Sequence, residues 1–221
     1  ENPKLVITPN VVMNTYMLDA SQMNKVKNFV FLSSTTINHP EEYPGIADMK
    51  KFGEKLCKFY ARKYGMKTTI IRPTQTYGPN DKFDSRGHVI PNLIKRAVSK
   101  ENPFIVWGDG SNVRDFLYVE DLTKGILEVT EWFTLLKPIT IGSGNLSTIG
   151  QIAGLILRLS DHNVPITYDS TKPNAIQVNT PKLDYIMNQT RIEDGLKKTI
   201  EWYKDNSFIR RPGDEECDTQ R

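Results

Sequence analysis

The sequence predicts an α/β fold built on a doubly wound parallel sheet, with room for a smaller α/β lobe. Three observations predict it. Helix-like and strand-like segments alternate with short links over residues 10–71, the pattern of βα units and hence of parallel strands. The strand-like runs, at 28–32 and 68–71, lack polar alternation, as expected of strands covered on both faces. Two stretches, RPTQTYGPNDKFD at 72–84 and WGDGSNVRDFLYVED at 107–121, follow β-like runs and concentrate Gly, Asn, Asp and Arg. They read as strand-end loops, where sites sit in open α/β sheets.

Taken in order, residues 10–23 place Val11, Thr15 and Leu18, with Val12, Tyr16 and Asp19 alongside, at helical intervals, and Asn10 is suited to cap the first turn. The run NFVFL at 28–32 is a buried strand, and Ser33, Ser34, Thr35 and Thr36 put hydroxyls at its carboxyl end. Residues 47–64 form the clearest helix, with a stripe of Phe52, Leu56, Phe59, Tyr60 and Lys63 and a stop at Gly65. A strand at 68–71 follows, then a turn at Tyr77-Gly78-Pro79 and a helix over 88–98. A strand at 104–106 ends at Trp107 before a Gly-Asp-Gly turn. Further helices are expected over 120–132, 147–159 (capped by Ser147) and 192–206, and strands at 138–141 and 165–168. The polar stretch 207–221 has no periodicity and is expected to be disordered.

With 38% hydrophobic and 25% charged residues, 221 residues suffice for a globular α/β domain with a small second lobe. The formal charge of +3 comes from scattered lysines and arginines, so there is no argument for a nucleic-acid partner. Cys57 and Cys217 offer neither a disulfide framework nor a metal-ligand spacing, which fits a cytoplasmic protein without metal. No apolar run is long enough to span a membrane, and ENPKLVITPN lacks the regions of a signal peptide. No G-x-G-x-x-G occurs; GDGSN at 108–112 follows the wrong kind of strand for a pyrophosphate cradle.

Four ordered words, RPTQTYGPNDKFD, HVIPNLIKR, WGDGSNVRDFLYVEDL and EDGLKKTIEWYKDN, resemble the extended short-chain dehydrogenase/reductases that act on nucleotide sugars, the NAD-dependent epimerase/dehydratase family, and most closely its GDP-fucose synthase branch. The resemblance runs to about residue 206. It implies a Rossmann-like fold whose N-terminal half would lie upstream of Glu1, with 1–79 and 116–145 completing the sheet and 80–115 and 146–206 forming the sugar-nucleotide lobe. It also implies NAD or NADP as cofactor, a nucleotide-sugar substrate with a GDP-sugar favoured, and a homodimer packed through the helices around 10–23 and 47–64.

In that family a Ser or Thr, a Tyr and a Lys form the reaction centre: the phenol exchanges a proton with the sugar, and the ammonium lowers the phenol pKa and holds the nicotinamide ribose. By resemblance Ser34 is the hydroxyl and Lys50 the lysine. Ile46, which cannot transfer a proton, stands where the tyrosine would, and Tyr43 is the nearest replacement. Arg72 and Pro73 fall at the cofactor. His88 aligns with a second acid/base on the hexose, a task that suits an imidazole. Arg96 and Arg114 match diphosphate-binding positions, Trp107 a pocket wall, and Asn80 lies in the same cleft. Gln75 replaces a usual Asn, and Ile176 or Gln177 a usual basic residue. His39 and His162 read as structural. Two functions remain open: a nucleotide-sugar epimerase or reductase, and a non-catalytic sugar-nucleotide binder or dimerisation partner without the cofactor half and the tyrosine.

Overall fold

The computed structural model describes residues 3–43, 45–84, 87–132, 136–172 and 181–206. The expected tail at 207–221 and the positions Ile176 and Gln177 lie outside the described residues. The first elements are α1 (Pro3–Met23), β1 (Phe29–Leu32), a 3-10 turn (Thr35–Asn38), α2 (Ile46–Tyr64), β2 (Thr68–Pro73) and β3 (Gln75–Tyr77). Next come α3 (Val89–Val98), β4 (Phe104–Trp107), β5 (Val113–Tyr118), α4 (Val119–Trp132) and β6 (Ile139–Gly142). The chain continues through β7 (Leu146–Thr148), α5 (Ile149–Leu159), β8 (Ile166–Asp169), β9 (Tyr185–Ile186) and α6 (Ile192–Asn206).

The described residues within Glu1–Gln75, Asp121–Gly144 and Val178–Met187 form one compact unit. Its sheet has four strands in the order β1-β2-β6-β9, every neighbouring pair parallel. The register Phe31↔Ile70 and Ile71↔Ile139 lines up the apolar runs read from the sequence. Ile70, Ile71, Ile139 and Ile141 are buried, whereas Leu32 is 44% exposed. Burial of β1 on both faces is therefore only partly realised. The two-residue β9, which the sequence pattern does not announce, closes the other edge through Ile141↔Tyr185.

Helix α2 ends as expected on Gly65, whose φ of 67° is left-handed and whose N–H caps Ala61. Its buried face is Ala47, Met49, Gly53, Glu54, Cys57 and Tyr60, so of the stripe seen in the sequence only Tyr60 is buried: Phe52 is 43% and Phe59 53% exposed. The reason is steric. A Cβ on Gly53 would stand 2.3 Å from the Phe31 ring, so the glycine lets the helix backbone approach β1 closely. Helix α1 starts at Pro3, seven residues before the expected cap at Asn10, and continues through Pro9. Packing holds its early turns, since Ile7 occupies the space where a Gly45 Cβ would stand. Leu18 is fully buried, with Phe31, Cys57, Tyr60, Met66 and Ile70.

The described residues within Thr76–Glu120, Asn145–Gln177 and Asn188–Arg221 form the second unit. It contains the sheet β3-β5-β7 and the parallel pair β4-β8. Its core joins Ile90, Ile94, Phe104, Phe116, Tyr118, Ile152, Ile156, Leu196 and Ile200, drawn from α3, α5, α6 and the strands. Strand β5 runs through residues read from the sequence as loop, antiparallel to β7 with Arg114↔Ser147. Arg114 and Asp115 interrupt its apolar pattern, yet they are only 7% and 4% exposed. Ser147 accordingly lies in a strand, and the cap of α5 is Thr148, whose hydroxyl accepts from Gln151 N while the Gln151 side chain accepts from Thr148 N. Thr148→Ala should cost about 1 kcal/mol of stability. In urea unfolding Ser147→Ala should cost less, and the reverse order would place the cap at Ser147.

Candidate functional site

The sequence-predicted residues fall into one group in each unit. The first gathers at the carboxyl end of β1, where the strand opens into the 3-10 turn. Ser34 caps that turn: its Oγ accepts from Thr36 N at 3.1 Å and from the Thr36 hydroxyl at 2.9 Å, leaving the serine O–H as a donor. Lys50 reaches back from the first turns of α2 and donates from Nζ to the Leu32 carbonyl at 2.8 Å. The ammonium also lies 5.5 Å above the Phe31 ring. Burial against β1 holds the Lys50 amine below its ordinary pKa. The lysine and the serine are thus brought to adjacent points of one strand end.

Ile46 is the first residue of α2, one turn before Lys50. Tyr43 sits in the turn leading into the helix, its N–H on His39 O and its carbonyl accepting from Ala47 N. Among the described residues no hydrogen bond joins its phenol to Ser34 or Lys50. Pro73 closes β2 opposite Ile141. Arg72, read as cofactor-binding by resemblance, directs both arms of its fork to Glu54, with Nε–Oε1 and Nη2–Oε2 each 2.8 Å. Glu54 also accepts from Ser33 Oγ at 2.6 Å and is 4% exposed. Sequence reasoning missed this network; the signal was a carboxylate four residues after Lys50, on the same face of an amphipathic helix.

The second group belongs to the other unit. His88 is the N-cap residue of α3, exposed and making no side-chain capping bond. Arg96, near the end of the same helix, grips Glu101 with Nε and Nη2 at 2.7–2.9 Å and lies 4.9 Å over the Phe104 ring. That guanidinium holds the Glu101 carboxyl below the usual range. Arg114 is buried in β5 and donates from Nη1 to the Val113 carbonyl at 2.8 Å. Trp107 ends β4 and is 62% exposed, with the Lys172 ammonium 5.8 Å from its ring. Asn80 is exposed in the turn after Gly78, at a φ of 67°. The expected Gly-Asp-Gly turn is present, with φ of 74° at both Gly108 and Gly110. His162 hydrogen-bonds Glu101 O through Nε2 and His39 faces Glu42, the structural roles expected of both.

Residues 1–141 match the NAD dependent epimerase/dehydratase family. The chain is 28% identical over 245 residues to the GDP-L-fucose synthase of Escherichia coli (strain K12), covering 92% of this chain and 75% of that protein. Its backbone is similar to a GDP-L-fucose synthetase from Naegleria fowleri bound to NADP, with a TM-score of 0.81 and 23% identity, over 91% of this chain and 74% of that one. It is also similar to UDP-glucose 4-epimerase with UDP-glucose from Thermotoga maritima, with a TM-score of 0.80 and 24% identity, over 93% and 72% of the two chains. The structural likenesses establish the Rossmann-like fold. A match covering well over half of the chain establishes the family: the chain belongs to the NAD dependent epimerase/dehydratase family.

Proposed function

We propose that this protein is an NAD(P)-dependent nucleotide-sugar epimerase or reductase of the GDP-fucose synthase type. The observation that carries the proposal is the placement of Lys50 Nζ on the Leu32 carbonyl, beside Ser34, in a chain of this family. Bound NAD(P) would supply hydride transfer. Of the groups present, the half-buried Lys50 ammonium fits the nicotinamide ribose; a glycine-rich pyrophosphate cradle does not occur in this sequence. Ser34 donates its O–H to the sugar oxygen that gains or loses a proton, and the exposed His88 imidazole is the second acid/base on the hexose. Arg114, with Arg96 once released from Glu101, pairs with the diphosphate, and Trp107 forms an apolar wall.

Exposed apolar side chains support a homodimer packed through α1 and α2: Met13 and Met17 at 53% and Tyr16 at 69% on the first, Phe52 and Phe59 on the second. Among the described residues no helix is long and apolar enough to cross a membrane. We place the protein in the cytoplasm on its cysteine usage, two cysteines without a disulfide framework.

Ile46 favours a second reading, a sugar-nucleotide binder without turnover, because the position one turn before Lys50 has no proton to exchange. The two readings separate on Tyr43. If Tyr43 is the proton carrier, Tyr43→Phe should lower NAD(P)H-linked turnover of GDP-sugars by about 10²–10⁴-fold while GDP binding persists. A wild type that binds both NAD(P)H and GDP-sugar and never turns the sugar over would leave the binder. The shared element is tested at Arg114. Arg114→Ala should weaken GDP or UDP binding by about tenfold to a hundredfold in isothermal titration, and Arg114→Lys should restore part of it, since the ammonium keeps the charge but not the fork. Equal affinities in correctly melting variants would remove Arg114 from the site.

A further inference from the structure

We propose that Glu54 is a positioning residue for the reaction end of the sheet: by tying α2 to Ser33 and Arg72 at the strand ends, its carboxylate sets where the Lys50 ammonium and the Ser34 hydroxyl stand. The inference rests on the reading of Ser34 and Lys50 as reaction-centre groups and assigns a role to a residue that makes no contact with the reactants.

A carboxylate that is 4% exposed needs compensating donors, and Glu54 has three: Ser33 Oγ at 2.6 Å, Arg72 Nε at 2.8 Å and Arg72 Nη2 at 2.8 Å. These come from the ends of two different strands. Those ends are already joined by the backbone bond from Ser33 N to Ile71 O at 2.7 Å, so the carboxylate is not needed to pair them. What it adds is a rigid link from the strand ends to α2. Lys50 makes the second link one turn earlier on the same helix, to the Leu32 carbonyl. Residues 50 and 54 therefore grip consecutive residues of the strand, 32 and 33, and the next residue is Ser34. Two attachments a helical turn apart fix both the height and the rotation of α2 against β1, where one alone would leave a pivot. The bidentate fork makes the Glu54 attachment directional. Gly53, beside Glu54, has no side chain where the Phe31 ring lies, so the helix can seat closely on the strand.

The test reads Lys50 directly and needs neither cofactor nor substrate, so it stands whether or not the protein proves to be an enzyme. In the full chain, acetylation by a limiting amount of an N-hydroxysuccinimide ester, quantified by peptide mass spectrometry, gives the reactivity of Lys50 relative to the exposed Lys55 of the same helix. Glu54→Gln and Ser33→Ala should each raise that ratio by about twofold to tenfold, as the Leu32 carbonyl moves away from Nζ. Glu54→Asp should fall between wild type and Gln, because it keeps the charge on a shorter arm. An unchanged ratio together with a lowered melting temperature would show an ordinary fold clamp and overturn the proposal. If Glu54→Gln fails to fold, Ser33→Ala decides alone, since it leaves the Arg72–Glu54 pair intact.

Discussion

The close seating of α2 on β1 is the constraint on which the candidate reaction centre depends. It exists because Gly53 has no side chain where the Phe31 ring lies. A larger residue would lift the helix, and Lys50, whose reach to the Leu32 carbonyl is set by that separation, would lose its partner. The same seating makes Glu54 an interior carboxylate, which the fold tolerates only because Arg72 and Ser33 converge on it. A single small residue thus links helix position, a buried ion pair and the placement of an ammonium.

The second unit solves a different problem with similar means. Strand β5 carries Arg114 and Asp115 into a buried setting, where neighbouring chain supplies partners such as the Val113 carbonyl. Arg96 stacks on Phe104 and grips Glu101, so its charge is compensated within the fold.

The absence of a proton donor at residue 46 also has a structural setting. Gly45 precedes α2 at a φ of 76°, so the helix starts abruptly at Ile46 and Tyr43 is left in the preceding turn.

Much of the architecture was legible in the residues themselves. Apolar runs such as TTII specify buried parallel strands because only strands covered on both faces tolerate them, and Gly65 marks a helix end because only glycine takes a left-handed cap freely. The ordered words around Gly78, His88 and Gly108 carried the family. What the sequence could not show was which side of a helix faces inward when both sides are apolar: Phe52 and Phe59 made the more conspicuous stripe on α2, yet Gly53 and Cys57 lie inside. Nor could it show β5 or β9, since a strand of two residues, or one interrupted by Arg and Asp, acquires its identity from the neighbour it pairs with. The partners of charged groups were decided in the same way. Arg72 pairs with Glu54 and Arg96 with Glu101 because folding brings those side chains together, and local pattern encodes periodicity and turns but not the distances on which such pairing depends.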